Sequence, residues 1–277
     1  MVASLPPPKQ DDLQLLELVI AERANGKHAE YFKNYRDTWR SRFVEYIDHN
    51  GDPALIATSA VPDEERARFI NLYEAKNGSQ VPVIKALRKN NLMCCPACGE
   101  EGNPETLDHY LPKSLFPEYS VHTKNLVPMC GLCQRIKDSS VCNEDGLRQY
   151  LHAYYDTILV PLYNVTIKPP YSAPSAFLVS VLPNVPEPLR ALAFRHIKAL
   201  EIDMRFQVFC EEKYLHILKL ATLQRTSEGS LSGVLRNILP LEEMKAINSW
   251  VAVFYRSVLA DASLIDYLET FDLPSNM

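Results

Sequence analysis

Two Cys-x-x-Cys hooks, Cys95/Cys98 and Cys130/Cys133, constrain this chain more than any other feature. Each hook places two thiolates on one tight turn, and two hooks together supply the four ligands of a tetrahedral Zn²⁺ site. A site closed by four thiolates has no position open to substrate, so this zinc is expected to hold structure and do no chemistry. Hooks roughly thirty residues apart also build zinc ribbons and other inert binding modules. Cys94 could stand in for Cys95 as a ligand, although the geometry of a Cys-x-x-Cys loop favours Cys95. The cysteines outside the hooks, Cys94, Cys142 and Cys210, follow no pattern. Cysteine used in this way fits a reducing compartment better than a disulfide framework, which makes the cytoplasm the expected location.

What the zinc holds is read from the residues between the hooks. Asp108-His109 stands before Tyr110-Leu111-Pro112-Lys113, and Asn125-Leu126 stands just before the second hook. Histidine is the side chain whose unperturbed pKa lets it exchange a proton near neutral pH. A neighbouring carboxylate is a hard oxygen ligand for a divalent cation. Asp108-His109 and Asn125, at this spacing from the two hooks, resemble an HNH endonuclease, the ββα-metal nuclease module. The resemblance covers about 45 of the 277 residues.

That resemblance implies a role for each matching residue. Asp108 and His109 would close the first strand, His109 as general base and Asp108 as a ligand of a catalytic Mg²⁺ or Mn²⁺. Asn125 would pin the connecting loop and so orient His109. The family's third signature residue follows the last zinc cysteine on the helix and is usually Asn or His. Here it is Gln134, whose carbonyl sits one methylene further out. Lys137 stands where the family has a lysine, and with Lys113 and Arg135 it is expected to contact substrate. The implied activity is hydrolysis of DNA phosphodiester bonds. A positioned general base is worth about 10²–10⁴ in rate, and the divalent cation stabilises charge on the phosphate and the leaving oxygen. The competing reading is a non-catalytic, zinc-stabilised DNA- or protein-binding subunit whose HNH site has decayed at Gln134.

The similarity extends over Leu107-Asp108-His109-Tyr110-Leu111-Pro112-Lys113-Ser114-x-Phe116-Pro117, then Asn125-Leu126-Val127-Pro128-x-Cys130, then His152-Ala153-Tyr154-Tyr155-Asp156. This wording is similar to one group of bacterial HNH proteins. The group includes nuclease subunits of Septu and retron-associated antiphage systems, which act with an ABC/SMC-like ATPase. The implied partners are DNA and such an ATPase. Charge points the same way. The chain carries a net charge of −5, and residues 85–138 hold seven Lys/Arg against six Asp/Glu. Proteins that grip phosphates unaided read basic, so a partner is expected to deliver the DNA. No apolar run approaches a membrane span, and Met1 to Asp12 lacks the apolar core of a signal peptide.

Elsewhere the pattern is helical. Helices are expected over residues 12–23, 28–49, 63–76 and 80–90, the second with Phe32, Tyr35, Trp39, Phe43 and Tyr46 at helical spacing. Lys33, Arg36 and Arg40 form a basic stripe on it, expected to be a solvated face more than a phosphate track. Seven prolines between residues 161 and 188 exclude a long helix and suggest an extended connection, with short strands over Tyr163–Ile167 and Ala176–Leu182. Beyond it, a helical tract over 188–223 breaks near Ile202-Asp203. A second helix over 241–260 carries Leu241, Met244, Ile247, Val251, Phe254 and Val258 on one face. Ser227-Glu228-Gly229-Ser230 and Ser232-Gly233 read as loops. His122 reads as an ordinary loop histidine, with a phosphate contact as the sharper alternative, and His152 as a hydrogen-bonded packing residue, with support of the active site as its alternative. The expected fold is α+β and mostly α-helical, with a small zinc-clamped ββα-metal module embedded between helical flanks. Its regions are a helical 1–90, the HNH module 91–160, the Pro-rich connection 161–187 and a helical 188–277.

Overall fold

The computed structural model describes residues 3–271. Met1, Val2 and the last six residues of the expected C-terminal region lie outside them. The fold is α+β and mostly helical, with two small antiparallel sheets. It divides into two compact units. Ser4–Cys95 with Asn103–Thr157 forms one, so the expected regions 1–90 and 91–160 largely fold together. Pro96–Gly102 with the described part of Ile158–Met277 forms the other.

The first unit runs α1 (Asp12–Ala21), α2 (Ala29–Asp48), α3 (Asp63–Glu74), α4 (Gln80–Arg88), β1 (Thr106–His109), β2 (Leu126–Met129) and α5 (Gly131–Lys137). Asp11 starts α1 because its carboxylate accepts the otherwise unpaired amides of Leu13 and Gln14. Phe32, Trp39, Phe43 and Tyr46 share the buried face of α2. Gly51, at φ +69°, lets the chain leave α2 tightly, and a Cβ there would sit 2.7 Å from the Tyr46 ring. Arg36 and Arg40 of the basic stripe pair with Glu17 of α1 at 2.8 and 3.4 Å. Their charge is thus offset by a neighbouring helix.

β1 and β2 pair with His109 opposite Leu126 and Thr106 opposite Met129. Ile84 of α4 packs on Leu107 and Leu126, with Tyr73 and Leu87 at the margin. Two 3-10 turns, Pro117–Val121 and Thr123–Asn125, fill the connection between the strands. This connection is held from outside. Asp12, itself buried, accepts the Thr123 amide at 2.7 Å and pairs with Lys124 at 2.8 Å.

The second unit contains β3 (Tyr163–Lys168), β4 (Ala176–Val181), α6 (Leu189–Ala199), α7 (Ile202–Thr226), α8 (Leu231–Lys245), α9 (Trp250–Ala260) and α10 (Ala262–Thr270). The Pro-rich connection thus closes into a hairpin in which Tyr163, Val165 and Ile167 alternate inward. The tract from 188 breaks at Glu201, which adopts φ +53° and separates α6 from α7. One expectation fails. Residues 241–260 form no single helix: α8 ends at Lys245, Ala246 is extended, and Ser249 caps α9 by accepting the Ala252 amide. Buried Asn248 needs this break, because its carboxamide bonds the Leu162 amide and the Val160 carbonyl. Leu241 and Met244 are consequently exposed, not on a shared buried face. Ser232 and Gly233 also lie inside α8, since Ser230 caps that helix from the preceding position.

His122 lies wholly buried between the rings of Phe43 and Tyr46, at 4.6 and 4.4 Å. Burial pushes its pKa down to about 4, with Asp12 opposing. The unfolded chain takes up this proton near pH 6.5. Stability is therefore full above that pH and falls as pH drops toward 4. His122→Phe keeps a ring in the slot and should flatten this acid limb by about 1 kcal/mol per pH unit. Urea unfolding at stepped pH reads the effect, and parallel wild-type and variant curves would contradict it.

Candidate metal centre and active site

The ligand atoms of Cys95, Cys98, Cys130 and Cys133 all lie within 4.8 Å of one another. A zinc tetrahedron with Zn–S near 2.3 Å has sulfur–sulfur edges of about 3.8 Å, so the four fit one ion. Cys94 is buried but is not a member of the group. The Cys130 amide points at Cys95 Sγ (3.3 Å), and the Cys133 amide at Cys130 Sγ (3.5 Å). Such donors favour the thiolate that a metal needs. At the second hook the Gly131 amide bonds the Glu105 carboxylate at 2.9 Å. Within the second unit, the Trp250 indole donates to the Cys98 carbonyl at 2.7 Å and His196 lies 2.7 Å from the Ala97 carbonyl.

A cleft of about 250 Å³ is lined by Asp108, His109, Lys113, Ser114, Gln134 and Asp138, among others. β1 delivers the first two, and α5 delivers Gln134. His109 Nε2 lies 3.0 Å from the Ser120 carbonyl oxygen. A carbonyl can only accept, so Nε2 bears the proton and Nδ1 holds the lone pair. Burial pushes the His109 pKa down to about 3; the Ser120 carbonyl opposes, while Lys113, Lys137 and Arg88 add to the depression. The ring is neutral at pH 7, the state a general base requires. Tyr73 of α3 meets it edge-on at 4.5 Å.

Asp108 Oδ2 lies 2.9 Å from Lys137 Nζ, and Lys137 also donates to the His109 carbonyl at 3.0 Å. Burial pushes the Asp108 carboxyl upward against the pull of that ammonium. Lys137 is only 1% exposed. It is therefore not presented to substrate as expected, because a carboxylate buried this deeply needs a countercharge and Lys137 supplies it. Gln134 donates its amide to the Leu107 carbonyl at 3.2 Å, which leaves Oε1 as its ligand atom. Lys113 lines the cleft and pairs with Glu74 at 2.9 Å, whereas exposed Arg135 lies outside the lining.

Asn125 is wholly buried. Its Oδ1 accepts the Leu111 amide at 2.7 Å, and its Nδ2 donates to the carbonyls of Leu111 (3.0 Å) and Tyr119 (3.2 Å). One side chain thus ties the residue two beyond His109 to the turn that presents Ser120. Sequence reasoning missed Tyr73, Arg88 and Asp138 here. Asp138 stands one helical turn beyond Gln134, a spacing that could have revealed it. Tyr73 and Arg88, which bond each other at 3.0 Å, precede the first hook and belong to no motif.

No protein-family model and no solved structure matches the chain. It is similar to Protein ea31 of Escherichia phage lambda, at 27% identity over 179 residues. That match covers 58% of this chain and 60% of the phage protein, less than two thirds of its length.

Metal analysis is expected to return one zinc per chain. Cys95→Ala should lose the metal and unfold the hook region, since zinc at such sites is worth on the order of 10 kcal/mol. Intact, zinc-free protein would contradict the assignment.

Proposed function

We propose that this chain is a metal-dependent DNA endonuclease of the HNH type. The observation that carries the reading is the cleft itself, where a neutral His109 with its lone pair on Nδ1 stands beside Asp108 and Gln134. Asp108 and Gln134 offer oxygen donors, which suit Mg²⁺ or Mn²⁺. When bound there, such an ion supplies charge stabilisation at the scissile phosphate. His109 Nδ1 takes the proton of the attacking water. The Ser120 carbonyl keeps Nε2–H in place and favours the imidazolium that results. Lys113 and Arg88 put positive charge beside the ring, where a phosphate would approach. β1, β2 and α5, joined by the thiolate cluster, then serve as the zinc-clamped ββα unit.

One observation favours the alternative of a non-catalytic binding subunit. Lys137 already engages Asp108, and Gln134 is bonded to β1, so metal must compete for both. The partner reading is part of the same proposal. Met204, Val208 and Leu215 are exposed on one side of α7. This surface would dock an ABC/SMC-like ATPase that licenses cleavage of invading DNA. No helix among the described residues is long and apolar enough to cross a membrane.

On plasmid DNA with Mg²⁺ or Mn²⁺, His109→Ala should lower cleavage about 10²–10⁴-fold while leaving zinc content unchanged. Cleavage by the variant at the wild-type rate would place the chemistry elsewhere. Gln134→Asn should hold or raise activity and lower the metal concentration needed; an inactive wild type awakened by it would favour the decayed site. Leu215→Glu should abolish co-purification of an ATPase from the native host, and a chain that cuts rapidly at physiological salt with no stable partner would contradict the docking role.

A further inference from the structure

Behind the cleft lies a buried polar chain that the nuclease reading does not use. His152 is fully buried, as is Tyr46. The Tyr154 amide lies 3.1 Å from His152 Nδ1. An amide N–H only donates, so Nδ1 accepts, and the neutral ring carries its proton on Nε2. Nε2 lies 2.9 Å from the Tyr46 hydroxyl, which therefore receives this proton and donates its own onward. Two acceptors are in reach at 3.2 Å, Asn125 Oδ1 and the Lys124 carbonyl. The order of donors is thus set from His152 to Tyr46, and the Tyr46 hydroxyl is in reach of Asn125, the residue that ties Leu111 to Tyr119. Tyr119 adjoins Ser120, whose carbonyl selects the His109 tautomer.

The surroundings hold His152 as firmly as it holds Tyr46. Its backbone amide donates to Asp156 Oδ2 at 2.6 Å, and Asp156 is paired with Arg148 at 2.9 Å. The ring of Tyr110, next to His109, lies 4.1 Å from the His152 ring. Tyr110 is fixed in turn by its hydroxyl, which donates to the Tyr150 carbonyl at 2.7 Å.

We propose that His152 and Tyr46 are positioning residues for His109, acting through Asn125 on the turn that carries the Ser120 carbonyl. The inference rests on the nuclease reading for its kinetic consequence, although its structural part stands without it. Neither side chain touches substrate. Without the Tyr46 hydroxyl, Asn125 Oδ1 keeps only the Leu111 amide, and the 117–125 turn gains freedom. The Ser120 carbonyl then no longer holds one His109 tautomer, and a fraction of rings present Nε2 as the lone pair.

The test uses the full chain with zinc bound and compares wild type with Tyr46→Phe, His152→Met and His152→Gln. Gln keeps an N–H donor near the place of Nε2, whereas Met removes it. Ring ¹⁵N resonances of His109 report its tautomer, and plasmid cleavage reports kcat and KM. Tyr46→Phe and His152→Met should shift the His109 resonances toward a tautomer mixture. They should lower kcat about tenfold, with KM for DNA within about twofold of wild type; His152→Gln should recover most of the loss. If Tyr46→Phe does not fold, the contrast between Met and Gln at position 152 decides. His109 resonances that stay at wild-type positions in the folded variants would overturn the proposal. A wild type that cuts no DNA would sink the nuclease reading instead, and the resonances would still decide this one.

Discussion

The carboxamide of Asn125 is the interaction on which the rest of the site depends. It is wholly buried and meets the backbone at three points, so that two segments fourteen and six residues away become one rigid unit. A buried amide left unpaired costs several times what a solvated one does. The fold meets this by giving both ends of the side chain partners. His109 inherits its orientation from that arrangement, because the turn held by Asn125 also carries the carbonyl that bonds Nε2. Asp12 reinforces the same turn from α1.

Charge is handled in the cleft by enclosure. Asp108 and Lys137 neutralise each other in a region with almost no solvent, while Lys113 and Arg88 both sit against the face of Tyr73. Lys113, Lys137 and Arg88 nonetheless lie close enough to His109 to disfavour its charged form. Burial is the main reason the His109 ring stays neutral, and the positive groups close to it add to that depression.

Much of this was legible in the sequence. The hooks identified the four clustered cysteines because Cys-x-x-Cys spacing is a local constraint. The helices α1 to α4 followed from apolar periodicity, and the extended connection with its two short strands followed from proline density and β-like runs. What failed was long-range. Leu241, Met244 and Ile247 have helical spacing with Val251 and Phe254, yet the helix breaks because Asn248 is needed by Leu162, eighty-six residues earlier. Lys137 looked like a surface cation because sequence does not record that Asp108 would be buried beside it. Tyr73, Arg88 and Tyr46 reach the site from helices with no motif of their own, and only packing reveals them.

Asp12 and Thr123 meet across 111 positions, and Tyr46 meets His152 across 106. Contacts this remote in sequence close large loops, and their entropic cost must be met before they stabilise anything. The short segment that carries the recognisable motif is therefore not a separable piece. Excised at residues 91–160 it would keep Asp108, His109 and Asn125 but lose the helices that fix their geometry. A fragment that keeps every signature residue would still lack the ordered turn, so the unit that can be inherited or transplanted intact extends back to α1.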